Sequence, residues 1–283
     1  MEEVFQELGN MDQTPVPREM PVETTMEKRG AKDARISTGG KGKKRFTLCL
    51  AVMTDGKKVP LRIIFKGTPF IPPDLRGKGR RTQPRKGSIS PEVAPGNRTK
   101  FGHPVGGMSF GVHENGWYDA RECTLWISES WRLRPNYGSI IKQRPIILVL
   151  DGFKCHRDKA FIDDLGKRCN TSVILIPGGL TPLLQPLERM LNKQMKRLLR
   201  AKYTAYTATA VDDPATGRLN PPGRGIVSTW CKEAWAAITP DTVKTCFEIC
   251  GLTLALDGSE DHAWCMHNFG KGFRELLQKQ RAE

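Results

Sequence analysis

No stretch of this chain approaches the roughly 20 consecutive apolar residues that a bilayer-spanning helix requires. The opening MEEVFQELGN has neither the basic nor the apolar region of a secretion signal. Paired cysteines are also missing. The eight present are scattered without a CxxC, which argues against a zinc ribbon or a disulfide framework and for reduced thiols in the cytoplasm or nucleus. His262, Cys265 and His267 invite a zinc reading but find no such partner pair. There is no internal repeat. HNFGKGF near the end contains neither a Walker A motif nor a dinucleotide fingerprint, so nucleotide hydrolysis and a small-molecule cofactor are disfavoured.

Acid is scarce beside base. Thirty Asp and Glu face 45 Lys and Arg, a formal charge of +15 over 283 residues. That excess favours a polyanionic partner, nucleic acid ahead of membrane, because no amphipathic anchor is evident. Arg76–Lys100 concentrates it, with Arg76, Lys78, Arg80, Arg81, Arg85 and Lys86 among eight cations against the single Glu92. Its Gly, Pro and Ser content reads as a mobile basic loop that contacts phosphates or serves nuclear targeting; a merely solvated loop is the alternative.

Between these features lies a succession of strand and helix patterns. Val4–Leu8 reads as a short strand, followed by prolines that forbid a long helix. RFTLCLAVMTDGKKVPLRIIFKG (Arg45–Gly67) is the clearest hairpin, two apolar runs around the turn pair Asp55-Gly56. MSFGVHENGWYDA gives a strand and a turn, and Ala120–Leu133 an amphipathic helix. IILVL (Ile146–Leu150) and SVILIP (Ser172–Pro177) are aliphatic strands around a helix ending near Gly166, which predicts a parallel pair joined by a crossover. A long helix begins at about Leu187. Val211–Gly225 is a Pro/Gly-rich linker, and beyond it come two short helices, the second capped by Thr239 with Pro240 at its first position. Cys246 and Cys250 fall at core spacing there. Trp117, Trp126 and Trp131 suit a core better than base stacking. The expected class is α/β, a mixed sheet with helices packed on it.

Three acids stand at element ends that converge in such a fold: Asp12 after the first strand, Asp151 at the end of IILVL, and Glu188 opening the long helix. Each has a bland explanation. Asp12 could form a turn, Asp151 could cap the next segment, and Glu188 could gain a few tenths of a kcal/mol from the helix dipole. Together they form an oxygen-rich cluster whose mutual repulsion calls for Mg²⁺ or Mn²⁺, and two such ions activate a water or a hydroxyl for in-line displacement at phosphorus.

The segments GNMDQTPV, RFTLCLAVMTDGKKVPLRIIFKG, ENGWYDA, LVLDGFKCH and VILIPGGLTPLLQPLERMLNKQMK, with the late CGLTLALDGSED, resemble in order the catalytic domain of DDE-superfamily transposases of the pogo/jerky type. The resemblance implies a ribonuclease-H-like fold with helices on both faces of the sheet. It implies a core over residues 1–210, a linker over 211–225 and a small C-terminal helical extension over 226–283. By motif, Asp12, Asp151 and Glu188 match the three catalytic, metal-holding acids, with Glu188 where the pogo-type pattern usually has Asp. His156 matches a family histidine, as a metal ligand or phosphate contact, or else begins the following helix. Two Mg²⁺ or Mn²⁺ ions, DNA as substrate, a homodimer and nuclear residence are further implications. The basic loop with Lys193, Lys196, Arg197 and Arg200 would track the DNA backbone. Those transposases carry helix-turn-helix modules ahead of the core, while this chain starts almost at the first acid, either as a fragment or through loss of that module; with Glu188 in place of Asp, a catalytically silent nucleic-acid or chromatin scaffold is the alternative expectation.

Overall fold

Alternation of side chains builds the central sheet. In β2 (Arg45–Met53) Phe46, Leu48, Leu50 and Val52 enter one core while Cys49, Ala51 and Met53 enter another, the two-residue period of a strand buried on both faces. The computed structural model describes residues 7–20, 45–67, 107–135, 145–215, 218–255, 257, 259 and 260. The basic segment 76–100, with Arg76, Lys78, Arg80, Arg81, Arg85 and Lys86, lies outside the described residues, as do His262, Cys265 and His267.

Six strands form the sheet in the order β4-β3-β2-β1-β5-β6. They are β1 (Leu8–Pro17), β2, β3 (Leu61–Lys66), β4 (Met108–His113), β5 (Ile146–Leu150) and β6 (Thr171–Leu175). β2 runs antiparallel to both β1 and β3, whereas β1/β5, β5/β6 and β3/β4 are parallel. This is the mixed sheet of the ribonuclease-H-like expectation. The β2–β3 hairpin turns at Gly56, whose φ of 88° lies in the left-handed region that glycine tolerates.

The first strand departs from its expected limits. It begins at Leu8 and continues through Asp12 to Pro17, so Asp12 lies inside a strand rather than after one. Two prolines are tolerated there for a topological reason. The Glu7 carbonyl accepts from Ile147 and the Leu8 carbonyl from Thr54, so odd-numbered residues turn their main chain toward β5. β5 pairs with β1 only over Leu8–Asn10. Beyond that point the edge is open, and the absent N–H of Pro15 or Pro17 costs no ladder bond.

Helices cover both faces. α1 (Ala120–Glu129), a 3₁₀ turn at Trp131–Leu133 and α2 (Lys159–Cys169) close one core, in which Trp126 and Trp131 stack at 5.5 Å. Trp117, by contrast, is 69% exposed and outside any core. α2 extends past the expected end at Gly166 to Cys169, where Asn170 takes a left-handed conformation (φ 46°) and closes the helix. On the other face lies a short α3 (Thr181–Leu184), a π-helical turn (Leu187–Leu191) and α4 (Asn192–Thr207). α5 (Arg224–Ala237) and α6 (Pro240–Glu248) pack into the same core through Val227, Cys231, Trp235, Val243, Cys246 and Phe247. Thr239 caps α6 as expected. Between α4 and α5, β7 (Asp212–Asp213) and β8 (Arg218–Leu219) form a small antiparallel ribbon.

One buried charge network ties β3 to α1. Arg62 is fully buried, with Glu122 at 2.6 Å and Glu129 at 2.7 Å. Gly111 on β4 makes room for it, since a Cβ there would stand 2.3 Å from a Glu122 carboxylate oxygen.

Candidate active site

The parallel strands β1 and β5 part company where β5 ends while β1 runs on, and that divergence opens a cleft. The last paired residues are Asn10 and Val149. Asp12 follows two residues later on β1, and Asp151 directly follows β5. Ligand crevices of α/β sheets form at this kind of position, outside strand carboxyl ends where neighbouring strands separate. The third wall is the helical segment carrying Glu188, Asn192, Lys193, Lys196, Arg197 and Arg200. These residues, with Asp12 to Pro15 and Asp151, line a cleft of about 690 Å³. All three predicted acids therefore share one cavity.

Their surroundings differ. Asp12 is 8% exposed, and its Oδ1 accepts from the Gln13 N–H (2.8 Å) while Oδ2 accepts from Asn192 Nδ2 (2.6 Å). Burial pushes its pKa up to about 6; the Asn192 and Gln13 hydrogen bonds oppose that rise, and the charges of Asp151 and Glu188 add to it. Asp151 is half-buried. Burial would raise its carboxyl, but His156 and the Phe153 N–H outweigh that and hold it below the ordinary value. Glu188 is exposed, although it lines the same cleft.

His156 is neither a surface contact for phosphate nor the start of a helix; α2 begins at Lys159 behind an Asp158 cap. Its ring is fully buried and both nitrogens are engaged. Nδ1 meets Asp151 Oδ1 at 2.6 Å, and Nε2 meets the Gln13 side-chain amide nitrogen at 2.8 Å. An amide nitrogen can only donate, so this arrangement assigns Nε2 as acceptor and Nδ1–H as donor to Asp151. The Phe153 N–H also donates to Oδ1, at 3.2 Å. The effect is to fix the carboxylate by one oxygen.

Asn10, which the residue patterns did not single out, pins the three acid-bearing elements together. Its Nδ2 donates to the Val149 carbonyl at 2.9 Å, and its Oδ1 accepts from the Leu187 N–H at 3.1 Å. It thus joins β1, two residues before Asp12, to β5, two residues before Asp151, and to the residue preceding Glu188. Asn10→Ala orphans the buried Leu187 N–H and takes one hydrogen bond from the Val149 carbonyl. A loss of about 2–5 kcal/mol is expected in urea unfolding; a change under about 1 kcal/mol would show that the pin is dispensable.

The helix that carries Glu188 begins as a π turn, with the Asn192 N–H bonded to the Leu187 carbonyl five residues back. Such turns recur at functional sites because the extra residue redirects side chains. Here Asn192 meets Asp12 while Lys196, one α-helical turn on, enters the same cleft. Burial lowers the Lys196 ammonium below its usual value, while the charges of Asp12 and Glu188 pull the other way and Arg45 lowers it further. Four cations of this wall, with Glu188 beside them, thus face the carboxylates of Asp12 and Asp151 across one cavity, a distribution suited to an anionic ligand held over a cation.

A divalent cation fits the donor set in part. Asp12 and Asp151 present carboxylates whose mutual repulsion such an ion offsets, and Asn192 adds a buried oxygen, Oδ1, without a hydrogen-bond partner. Among the described residues, no three His, Cys, Asp or Glu side chains converge closely enough to hold one ion together.

Comparison with known proteins gives a consistent picture. The family model described as "DDE superfamily endonuclease" matches residues 43–247, a span that contains Asp151 and Glu188 and begins after Asp12. Two proteins, each called "Pogo transposable element with KRAB domain", from Mus musculus and Homo sapiens, are 30% and 29% identical over 259 residues. That alignment takes in 91% of this chain and 37% of each relative, so the chain spans little more than a third of their length. Among solved structures, the Mos1 transposase paired-end complex with left transposon end aligns at 12% identity with a TM-score of 0.49, covering 88% of this chain and 55% of that one. The Mos1 strand transfer complex aligns at 13% and 0.47, covering 86% and 53%.

Proposed function

The chain belongs to the DDE superfamily of endonucleases, and on that footing we propose that its cleft is a metal-dependent site for cleaving and joining DNA phosphodiesters, in the core of a transposase-derived protein. The observation that carries this reading is the opposition, within one cavity, of the carboxylates on β1 and just after β5 to the cationic wall of α4. Asp12 and Asp151 would hold one Mg²⁺ or Mn²⁺ ion, and Glu188 would serve with Asp12 for a second. Such ions, two in the full two-metal reaction, activate water for cleavage or a DNA 3′-hydroxyl for joining and offset charge on the leaving oxygen.

The chain's own residues do the rest. His156 and Phe153 orient Asp151, Asn192 and Gln13 orient Asp12, and Lys193, Lys196, Arg197 and Arg200 bind the phosphates on either side of the reacting bond. That backbone contact is sequence-independent and weakens steeply with salt. The basic segment 76–100 supplies further cations for phosphate contact in this proposal. Nuclear residence follows from the DNA substrate, and a homodimer follows from the need to bring two DNA ends together. Residues 1–210 make up the catalytic core of this proposal, with 226–283 as its helical extension.

A competing reading, a silent scaffold that binds DNA without cutting it, draws on one observation: the three acids do not close on a single ion. Nicking of supercoiled plasmid with Mn²⁺, Mg²⁺ or EDTA, beside Asp151→Asn prepared identically, separates the two. Metal-dependent nicking that falls about 10³-fold or more in the variant, with DNA binding kept or tightened, is the expected result. DNA binding by a folded wild type that never nicks would establish the scaffold.

A further inference from the structure

The search for a third metal donor leads away from Glu188. Among the described residues the carboxylates fail to converge as a trio, and Glu188 is exposed. Asn192 is 8% exposed, lines the same cleft, and already touches Asp12 through Nδ2 at 2.6 Å. An ion bound through Asp12 Oδ2 would stand beside this amide, whose oxygen a rotation of the side chain can present to it. Its Oδ1 is a buried acceptor with no hydrogen-bond partner. A buried acceptor without a protein partner is satisfied by an ordered water or an ion, and here a carboxylate able to bind a cation stands beside it.

From this geometry we infer that Asn192 is a ligand of the divalent ion, its neutral amide oxygen acting with Asp12 and Asp151, while Glu188 stays outside that ion's immediate shell. Amide oxygens are hard donors suited to ions of this kind. Two carboxylates and one amide balance a dication without the surplus negative charge of three acids. The π turn is the device that makes this possible, because it determines which side chain of the helix arrives opposite Asp12. The inference rests on the metal-dependent reading above and refines it residue by residue.

The test reads the ion directly rather than the reaction. Full-length protein carrying ¹³Cγ-labelled asparagine is loaded with Mn²⁺ and its electron–nuclear double-resonance spectrum is recorded. A ¹³C coupling from a carbon bonded to a coordinating oxygen is expected, absent from Asn192→Asp, which still binds Mn²⁺ and contains no label at that position. In parallel, free-Mn²⁺ titrations should show affinity for the ion held by Asp12 and Asp151 falling about 10- to 100-fold in Asn192→Ala and changing less than about threefold in Glu188→Gln. Circular dichroism of each metal-free variant checks that it is folded. If Mn²⁺ binds and Asp12→Asn abolishes binding, yet no asparagine coupling is seen, this inference fails while the endonuclease reading stands. Loss of affinity in Glu188→Gln as large as in Asp12→Asn would overturn it equally. A wild type that binds no Mn²⁺ would overturn both.

Discussion

Asp12→Asn is expected to stabilise the metal-free protein at neutral pH while removing its nicking activity by about 10³-fold or more. The two effects share a cause. In the fold the Asp12 carboxyl has its pKa raised from 3.8 to about 6, first through burial and then through the charges of Asp151 and Glu188. A raised carboxyl favours the native state in its protonated form. That contribution is complete below the unfolded value near 4 and is lost as pH rises through about 6. At pH 7.5 the native state therefore carries an ionised Asp12 at a cost of up to about 3 kcal/mol. Asparagine removes that cost and keeps the shape. Its Oδ1 can still accept from the Gln13 N–H, and the Asn192 amide can turn to offer its otherwise unpartnered oxygen to the new Nδ2. Calorimetry in EDTA should show a melting temperature higher than wild type at pH 7.5 and a gain about a third as large in free energy at pH 4.5. An equal gain at both values, or destabilisation at pH 7.5, would sink the account. A site that spends stability on an ionised, desolvated acid is what function requires when a cation is to be bound there.

Arg62→Leu should have the largest effect on folding, about 3–5 kcal/mol of destabilisation, enough to remove much of a typical domain's stability. The substitution leaves Glu122 and Glu129, both almost fully buried, facing each other without their shared cation. Adding Glu122→Gln and Glu129→Gln to the same chain should recover more than half of the loss, because the cost comes from uncompensated charge rather than from lost packing. Denaturant unfolding of the single and triple variants measures this coupling. Simple additivity, with each further substitution costing more, would show that packing dominates. The network lies between β3 and α1 and does not line the acid cleft, so the triple variant should retain whatever nicking the wild type shows.

Much of the architecture is legible in the order of residues. The hairpin around Gly56, the parallel pair β5/β6 joined by α2, and the cap at Thr239 each follow from rules acting over a few residues. The three acids could be singled out because strand ends and helix starts are readable, and because their motifs recur in a known family. Local rules misplace other features. Prolines argue against a central strand, and Asp12 was accordingly expected beyond the strand that contains it; only the short pairing of β1 with β5 explains why Pro15 and Pro17 are tolerated. Trp117 looks like its two buried companions in sequence, yet it is exposed.

By itself, then, the sequence determined an α/β chain with an excess of positive charge and singled out three acids, because periodicity, capping and charge are local or additive properties. The tertiary structure decided how those acids are held. Asn10 reaches across 139 residues to Val149 and 177 to Leu187, Gln13 across 143 to His156, and Asn192 across 180 to Asp12. No local pattern marks such polar residues, since their role comes from which buried partner the folded sheet and π turn bring within hydrogen-bond distance, and a buried polar group is defined by its partner rather than by its neighbours in the chain.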